Sequence, residues 1–303
     1  MNILSSTINK NFLNSKRSHR LFHGRGKFFS DYQYLSIDYF WSTILITLYQ
    51  ETTLEVMDTI LKSLKEIPAI NIIVQKRYLA KPTIEALKGS IPTAELAIED
   101  SLKYHLKFGD SQNIGFFLDM YPGREFLTRI CSGKKVLNLF SYTCSLSVAA
   151  IKGGASEVTN VDMSKAALAV GSENHALNGV GAGQKVRFLS YDIMKSWNKI
   201  FKHGPYDVII IDPPTNQGDS FKTDRDYYKI VKRLESMTSG DAVIMACLNS
   251  PRHNGQFLID LFKEHAPDFK FQEIMYSAFS EMEKNPEEGL KIVIFKYKSK
   301  LLS

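Results

Sequence analysis

The sequence predicts an α/β protein in which a doubly wound parallel sheet ends in an antiparallel hairpin and follows a small α+β domain. Short, unbroken apolar runs alternate with helical segments from about residue 124 onward, which is typical of parallel strands buried on both faces. Two further apolar runs, separated by a polar loop, predict the hairpin at the edge of this sheet. The 303 residues, 44% of them hydrophobic, suffice for about two domains.

The larger domain is placed at residues 109–303, and its elements follow in chain order. The predicted parallel strands are Val136–Leu139, Val158–Val161, Val186–Leu189, Val208–Ile211 and Ala242–Leu248. The predicted helices are Thr143–Lys152, a segment from the capping Ser164 to Leu177, Ile193–Phe201 and Asp224–Met237. The hairpin pairs Phe269–Met275 with Lys291–Tyr297. Gly153-Gly154 and Asn178-Gly179 are stop signals for the first two helices.

The segment before this domain divides into a basic arm and a mixed domain. Residues 1–30 show no periodicity, carry six Lys or Arg residues and no acidic residue, and are predicted to be an extended arm. The rest of the chain then holds 32 basic and 32 acidic residues, so the arm contains the whole excess positive charge. Residues 31–108 combine strand signals at Thr43–Tyr49 and Ile70–Val74 with a helical pattern at Leu54–Leu64, which predicts a small α+β domain. This domain is a candidate for RNA binding.

Composition excludes several classes of protein. The longest strongly apolar stretch, Tyr39–Tyr49, is shorter than the roughly 20 residues of a membrane span, and no secretory signal is expected. Three widely spaced cysteines give neither a zinc pattern nor a disulfide framework, so we expect no metal and a reducing, cytoplasmic setting. The Arg- and Ser-bearing start also fits an organellar transit peptide, which is the alternative.

Ligands of such sheets bind outside the carboxyl ends of the strands, so the residues there are candidate site residues. The first strand is followed by Phe140-Ser141-Tyr142-Thr143-Cys144-Ser145, with no glycine before Gly153. A site that cradles a pyrophosphate needs glycines at this turn, so a dinucleotide is not the expected ligand. Ser141 and Thr143 can instead cap the following helix.

Acidic residues follow the second and third strands. Asp162 can accept two hydrogen bonds from a ribose diol, or it can interact with the dipole of the next helix. Met163 beside it can pack on an adenine or on the core. Asp192 can accept the exocyclic amine of adenine or cap the helix that follows, and spacing alone does not separate the two.

The most specific signal follows the fourth strand, at Asp212-Pro213-Pro214-Thr215. Two prolines fix φ and remove two N–H donors, so the chain leaves the sheet in a rigid turn. A rigid turn that carries an acid presents fixed oxygens to a planar nitrogenous group. We therefore expect this turn to be functional.

Several segments together resemble the class I S-adenosylmethionine (SAM) dependent methyltransferases, and among them the bacterial large-subunit (23S) rRNA methyltransferases of the RlmI and RlmK type. The resemblance covers roughly residues 32–300. The matching segments are Asn113–Asp119 with Arg124, Val136–Thr143, Asn160–Ser164 with Glu173-Asn174 and Leu177–Gly179, and Ile211–Thr215. Phe22–Gly26 of the arm also resembles the start of some relatives, which favours the arm over a transit peptide.

The resemblance implies a Rossmann-like methyltransferase sheet, SAM as the cofactor and a role for each matching residue. Asp162 would bind the ribose, Met163 and Asp192 the adenine, and Asp212, Pro213, Pro214 and Thr215 would form the floor between methyl donor and target base. Phe140, Ser141 and Tyr142 would line the methionine portion, which Asn113, Asp119 and Arg124 would close from the upstream side.

Three positions depart from the family pattern. Cys144-Ser145 stand where relatives often have small glycine-containing pairs, which is expected to narrow the space beside the methionine tail. Relatives commonly carry Arg where Tyr121 stands. Methylation at cytosine carbon needs a cysteine nucleophile just past the fifth strand, but that register falls on Leu248 and leaves Cys247 one position early.

The sequence therefore predicts direct transfer to a nitrogen of an rRNA base by an enzyme of class EC 2.1.1. The expected RNA contacts are the basic arm and the loop near Phe221, whose ring either stacks on an extruded base or returns to the core. Cations between Lys222 and Arg233 are either a phosphate-facing strip or a solvated helix face. The alternatives are a methyltransferase for a protein or small molecule, and a non-catalytic RNA-binding relative.

Overall fold

The computed structural model describes residues 2–109, 111–180, 185–217 and 220–297. The chain divides into two compact units. The first contains Met1–Leu118 together with Glu281–Lys284, and the second contains Asp119–Ser280 together with Asn285–Ser303. A short segment from late in the chain therefore belongs to the unit that the first part of the chain builds.

The described residues of the first unit form two α-helices and seven strands. In chain order these are α1 (Ile3–Asn11), β1 (His19–His23), β2 (Leu35–Phe40), β3 (Thr43–Leu48), α2 (Leu54–Ser63), β4 (Asn71–Lys76), β5 (Thr83–Lys88), β6 (Glu95–Glu99) and β7 (Leu102–Leu106). One sheet has the order β1-β2-β3-β4-β5, with β3 and β4 parallel and the other neighbours antiparallel. β6 and β7 form a separate antiparallel hairpin.

Residues 1–30 are not the extended arm that their sequence predicts. They include α1 and β1, and β1 pairs with β2 in the sheet. The fully buried residues of this segment are Leu4, Ile8, Leu21 and Phe22, which belong to the core of the first unit. Two apolar residues on a short helix and two on an edge strand are too few to give a periodic signal, because the pairing with β2 decides the structure.

The described residues of the second unit begin with a helix that the sequence analysis did not assign. In chain order its elements are α3 (Tyr121–Ile130), β8 (Lys135–Leu139), α4 (Ser145–Lys152), β9 (Glu157–Asp162), α5 (Lys165–Leu177), β10 (Lys185–Ser190), α6 (Trp197–Phe201), β11 (Tyr206–Ile211), β12 (Asn216–Gln217), β13 (Phe221–Lys222), α7 (Thr223–Val231), β14 (Thr238–Asn249), α8 (Gly255–His265), β15 (Phe269–Tyr276) and β16 (Leu290–Tyr297). Helix α8 was also unassigned, although its buried Leu258 and Phe262 are spaced by one turn.

The central sheet has the order β10-β9-β8-β11-β14-β16-β15. Its first five strands are parallel and the last two are antiparallel, which confirms the predicted doubly wound sheet with a terminal hairpin. Two hydrophobic clusters cover the two faces of this sheet. Along β11, Ile209 and Ile211 pack in one cluster, and Val208 and Ile210 pack in the other. Burial on both faces explains why these strands read as unbroken apolar runs. No helix within the described ranges is long and apolar enough to cross a membrane.

Candidate active site

The turn between β8 and α4 holds three non-glycine residues in the left-handed region. The φ angles are 58° at Phe140, 46° at Tyr142 and 62° at Cys144. Residues other than glycine rarely adopt this backbone conformation. Those that do are concentrated at functional sites, where the surrounding structure compensates for the strain. The turn that the sequence singled out is therefore held in a costly shape.

Asp162, the last residue of β9, fixes this turn from the neighbouring strand. One carboxylate oxygen accepts a hydrogen bond from the Tyr142 N–H at 2.8 Å, and the other accepts from the Ser164 N–H at 2.8 Å. The residue is 9% exposed. Each oxygen has a second lone pair, so the carboxylate can accept further bonds from a ligand without releasing the turn.

Ser141 lies within the same turn and does not cap α4. The N-cap of α4 is Cys144, whose side chain makes no capping hydrogen bond, so neither Ser141 nor Thr143 occupies the predicted cap position. The Ser141 hydroxyl is buried, has no nitrogen or oxygen partner among the described residues, and bonds to the Cys144 thiol. A thiol is a weak hydrogen-bonding partner, and the polar groups of a bound ligand would satisfy the hydroxyl better.

Cys144 is accommodated by a glycine on the next helix. A Cβ placed on Gly171 of α5 would lie 2.4 Å from the Cys144 Sγ, so the thiol fills a space that only glycine leaves open. The cysteine is fully buried, and this burial raises the pKa of its thiol to about 12. The sulfur lies against Gly171 of α5, and the narrowing expected beside the methionine tail stays a prediction.

Met163 and Asp192 lie at the same edge of the sheet as Asp162. β9 and β10 pair so that Ser190 lies opposite Asp162, and Met163 is 43% exposed. One oxygen of Asp192 accepts from the Met194 N–H at 2.9 Å, which is the capping role that the sequence left open. The other oxygen lies 3.4 Å from the Lys195 ammonium. The adenine contact of Asp192 stays a prediction.

The Asp212-Pro213-Pro214-Thr215 turn is anchored at both ends. The Asp212 N–H approaches the Leu139 carbonyl oxygen at 3.4 Å, and the Thr215 hydroxyl donates to the carbonyl of Asn249 at the end of β14. The carbonyl of Thr215 in turn accepts from the N–H and hydroxyl of Thr223, at 3.3 and 3.2 Å. The turn is therefore fixed against the ends of β8 and β14.

Asp212 carries a strongly perturbed carboxyl group. Its pKa is raised to about 7, first by burial and then by the nearby negative charge of Asp119, while the Arg124 guanidinium acts in the opposite direction. Arg124 lies on α3 and is 1% exposed. The second unit thus brings together three of the predicted residues. Asn113 belongs to the first unit, and its role stays a prediction.

Tyr227 is a buried residue near this turn that the sequence analysis missed. Its hydroxyl lies 3.2 Å from the carbonyl oxygen of Cys247 and 3.5 Å from that of Ile211, the residue before Asp212. It therefore ties the ends of β11 and β14 together beneath the turn. The sequence offers no signal for this contact, because Tyr227 lies between other polar and aromatic residues of α7.

Cys247 is fully buried near the same carboxylates. Burial raises the pKa of its thiol well above the ordinary value, and the negative charges of Asp212 and Asp119 raise it further. Leu248 packs on the opposite face of the sheet, as strand alternation requires. A thiol in this environment is held protonated, which does not suit a nucleophile.

Phe221 does not present a free ring for stacking. It is 1% exposed, and its ring lies 5.1 Å from that of Phe140 and 6.3 Å from that of Tyr227. The alternative that this residue returns to the core is therefore correct, and the ring supports the strained β8–α4 turn. The residues 218 and 219 of the predicted RNA-contacting loop lie outside the described residues.

The predicted basic strip is partly neutralised. The Arg225 and Lys229 side chains both bond to the carboxylate of Asp226, at 2.7 and 2.8 Å, and these contacts hold the pKa of Asp226 far below its usual value. A polar cleft lies here, lined by Asp192, Met194, Lys195, Ser220, Arg225, Asp226 and Lys229. Among the described residues, no group of three or more His, Cys, Asp or Glu side chains is placed to hold a metal ion.

Comparison with known proteins connects this geometry to a family. A family model described as S-adenosylmethionine-dependent methyltransferase matches residues 19–296. A solved SAM-dependent methyltransferase structure from Streptococcus mutans superposes with a TM-score of 0.84 at 25% identity, covering 96% of this chain and 78% of that one.

Two curated relatives cover about half of this chain. The ribosomal RNA large subunit methyltransferase I of Aeromonas salmonicida is 34% identical over 146 residues, which is 48% of this chain. The ribosomal RNA large subunit methyltransferase K/L of Shewanella sp. strain MR-4 is 37% identical over 158 residues, which is 50% of this chain. The matches span only 37% and 22% of the lengths of these relatives.

Proposed function

Because the chain belongs to the family of S-adenosylmethionine-dependent methyltransferases, we propose that it methylates a base nitrogen of large-subunit ribosomal RNA in the cytoplasm. The names of the curated relatives support the substrate class. The doubly wound sheet, with candidate polar groups at its carboxyl edge, supports the placement of the reaction there.

The residues at the ends of β8 and β9 fit the cofactor. The carboxylate of Asp162 keeps free lone pairs for the two hydroxyls of a ribose, and polar groups of the ligand would satisfy the buried Ser141 hydroxyl better than the Cys144 thiol does. The exposed Met163 side chain offers an apolar surface for a purine. When bound, SAM supplies a methyl group that is already activated by attachment to a positively charged sulfur.

The observation that carries the proposed chemistry is the position of Asp212. Its carboxyl group stands at a rigid turn with a pKa raised to about 7, beside Asp119 and Arg124. A nitrogen that accepts a methyl group must lose a proton, and a base whose pKa lies near the working pH transfers protons efficiently. We assign Asp212 to orient the target amino or imino group and to accept its proton.

The surrounding residues support this role of the acid and favour direct transfer over a covalent route. Pro213 and Pro214 fix the turn, and Thr215 anchors it to Asn249. Burial raises the pKa of the Cys247 thiol, which disfavours the thiolate that attack on a ring carbon would require and supports direct transfer to nitrogen. The chain then contributes mainly orientation and desolvation of the acceptor.

Radiolabelled SAM tests the proposal. We expect the purified protein to transfer label to rRNA from a strain that lacks the gene, and not to rRNA that already carries the modification. Nucleoside digestion followed by mass spectrometry should then identify an N-methylated base. Absence of transfer to rRNA would contradict the substrate, and a methyl group on ring carbon would contradict the mechanism.

Protein or small-molecule substrates remain the alternative within the same enzyme class. Label in a protein or metabolite fraction, rather than in rRNA, would indicate them. A non-catalytic relative would bind RNA but fail to transfer label to any fraction. The three outcomes are therefore separated in one experiment.

A further inference from the structure

The first unit carries a cationic aromatic cluster that the proposed methyl transfer does not use. The guanidinium carbons of Arg25 and Arg77 lie over the Tyr49 ring, at 4.4 and 5.4 Å from its centroid. Arg77 also donates to the Tyr49 hydroxyl at 3.5 Å and to the side-chain oxygen of Gln112 at 3.4 Å. Arg25 is exposed, and Tyr49 and Arg77 are half-buried. We call these three residues the Tyr49 cluster.

The backbone holds Arg25 in a turn of fixed shape. Arg25 lies between Gly24 and Gly26, and a Cβ on either glycine would collide with a carbonyl oxygen: that of Tyr32 at 1.7 Å, or that of Met282 at 1.8 Å. The Gly26 carbonyl also accepts a bond from the Lys284 N–H at 2.7 Å. Only glycine permits these close approaches, so Gly24 and Gly26 allow the backbone on both sides of Arg25 to pack against Tyr32 and Met282.

Two neighbouring strands fix the other members of the cluster. Tyr49 follows β3 and Arg77 follows β4, which run parallel side by side. The Arg77 N–H donates to the Leu48 carbonyl at 2.8 Å, and the Tyr49 N–H donates to the Tyr34 carbonyl at 2.8 Å. The ring and both guanidinium groups are therefore presented from an ordered framework.

The charges of this cluster are not compensated by acids. Elsewhere in the first unit, cations pair with carboxylates, as in Arg20 with Asp38, Lys62 with Asp58 and Lys76 with Glu85. Within the described residues, neither Arg25 nor Arg77 forms an ion pair with a carboxylate. A tyrosine ring attracts a guanidinium group over its face but does not neutralise its charge, so the charge stays available to a ligand.

We propose that the Tyr49 cluster binds a single-stranded segment of the RNA substrate, with both guanidinium groups donating to backbone phosphates. Guanidinium forks match phosphate oxygens, and their planes accept stacked bases, so one cluster serves both parts of a nucleotide. The inference rests on the proposed RNA substrate and adds a contact site at the ends of β3 and β4.

RNA binding by variants of the full chain tests this site. We expect the Arg25→Gln/Arg77→Gln double variant to weaken binding of a single-stranded rRNA fragment by about tenfold or more at moderate salt. The slope of log affinity against log salt should become shallower by about 1.4, since each phosphate contact on a single strand contributes about 0.7. Tyr49→Leu, which keeps the charge, should also weaken binding because it removes the platform.

The matched control is Lys65→Gln/Lys88→Gln, which removes two exposed charges of the same unit that are neither members of the cluster nor part of residues 1–30. Lys88 pairs with Ile72 at the start of β4, whereas Arg77 follows the end of that strand. The salt slope of this control should match that of the unaltered protein. Thermal unfolding identifies any variant that is not folded, and Arg25→Lys/Arg77→Lys then serves instead, because lysine keeps charge but loses the fork. Equal RNA affinity of the cluster and control variants overturns the proposal, as does equally tight binding of inorganic polyphosphate.

Failure of this inference differs from failure of the proposed function. If the protein methylates rRNA but the cluster variant has an unchanged KM for RNA, the cluster assignment is wrong. If the unaltered protein transfers no methyl group to rRNA, the substrate proposal is wrong. SAM affinity should be the same for all variants, because none of the altered residues belongs to the candidate cofactor site.

Discussion

The carboxylate of Asp162 accepts a hydrogen bond of 2.8 Å from the backbone N–H of Tyr142, a residue held at a left-handed φ of 46°. The acid at the end of one strand therefore stabilises a strained turn at the end of the next. Asp162, which we propose binds the ribose, also holds the turn that we propose contacts the rest of the cofactor. A substitution of Asp162 should therefore disturb both contacts with the cofactor.

Replacing Asp162 by Asn should weaken SAM binding by about 10- to 100-fold, because an amide nitrogen would face an N–H donor and one charge-assisted acceptor would be lost. Isothermal titration calorimetry measures the effect. Asp260→Asn, the same change at an exposed position of α8, is the control. Unchanged SAM affinity in folded Asp162→Asn protein would remove this residue from the site.

The rate of methyl transfer should depend on the ionisation of Asp212. With its pKa raised to about 7, the carboxylate form is scarce in acid, so kcat/KM should rise about tenfold per pH unit below 7 and level off above. Asp212→Asn should lower the rate by about 100-fold or more and abolish the inflection. Initial rates at constant ionic strength between pH 5.5 and 9 measure this, and an unchanged profile in the variant would contradict the assignment.

Folding stability should depend on the same group with a definite sign. Because the folded-state pKa of Asp212 lies above the ordinary value of 3.8, folding favours the protonated acid. The stability contributed by the protonated Asp212 is fully present below pH 3.8 and is lost as the pH rises towards 7. Asp212→Asn should therefore be more stable than the unaltered protein at pH 8, by on the order of 1–3 kcal/mol. Denaturant unfolding at pH 4 and pH 8 should show the difference growing with pH; a constant difference would indicate another cause.

Cys247 should be dispensable for chemistry. Cys247→Ala should keep methyl transfer within about threefold, with only a modest loss of stability from the small cavity. A substrate RNA that carries 5-fluorocytidine should form no covalent protein adduct that survives a denaturing gel. If folded Cys247→Ala protein were inactive, or if the covalent adduct formed, the Cys247 thiol would have to be assigned as a nucleophile.

Gly171 and Cys144 should behave as a coupled pair. Gly171→Ala places a methyl group against the Cys144 sulfur and should destabilise the protein by about 1–3 kcal/mol. Cys144→Gly removes the sulfur and relieves the left-handed φ at that position, so the double variant should recover most of the loss. Thermal unfolding of the two single variants and the double variant measures the coupling, and additive effects would show that the two side chains do not interact.

Sequence patterns predicted the parallel sheet well because β8, β9, β11 and most of β14 are buried, which leaves a largely apolar signature. They failed for α1 and β1, whose placement depends on pairing with β2 rather than on their own periodicity. Phe221 shows the same limit at the site. A single aromatic residue in a polar loop gives no sign of whether it faces a ligand or, as here, packs under Phe140.

The orientation of individual side chains was equally hidden. That Cys144 points towards Gly171 follows from the left-handed backbone at Cys144 and from a helix that begins 21 residues later, at Lys165. The electrostatic group of Asp119, Arg124 and Asp212 combines residues from separate elements. The resemblance to a family named all three, but only the fold shows that the charge of Asp119 and the burial of Asp212 act on one carboxyl group.

The assignment of Glu281–Lys284 to the first unit has a consequence for synthesis on the ribosome. In the folded protein the Gly26 carbonyl accepts a hydrogen bond from the Lys284 N–H, and the His23 ring lies 3.4 Å from the carboxylate of Glu283. Neither contact can form until residues 283 and 284 have been synthesised. Nearly the whole chain must therefore be translated before the earliest segment has all its partners. A premature stop before residue 281 would leave both units incomplete, rather than releasing a finished first unit.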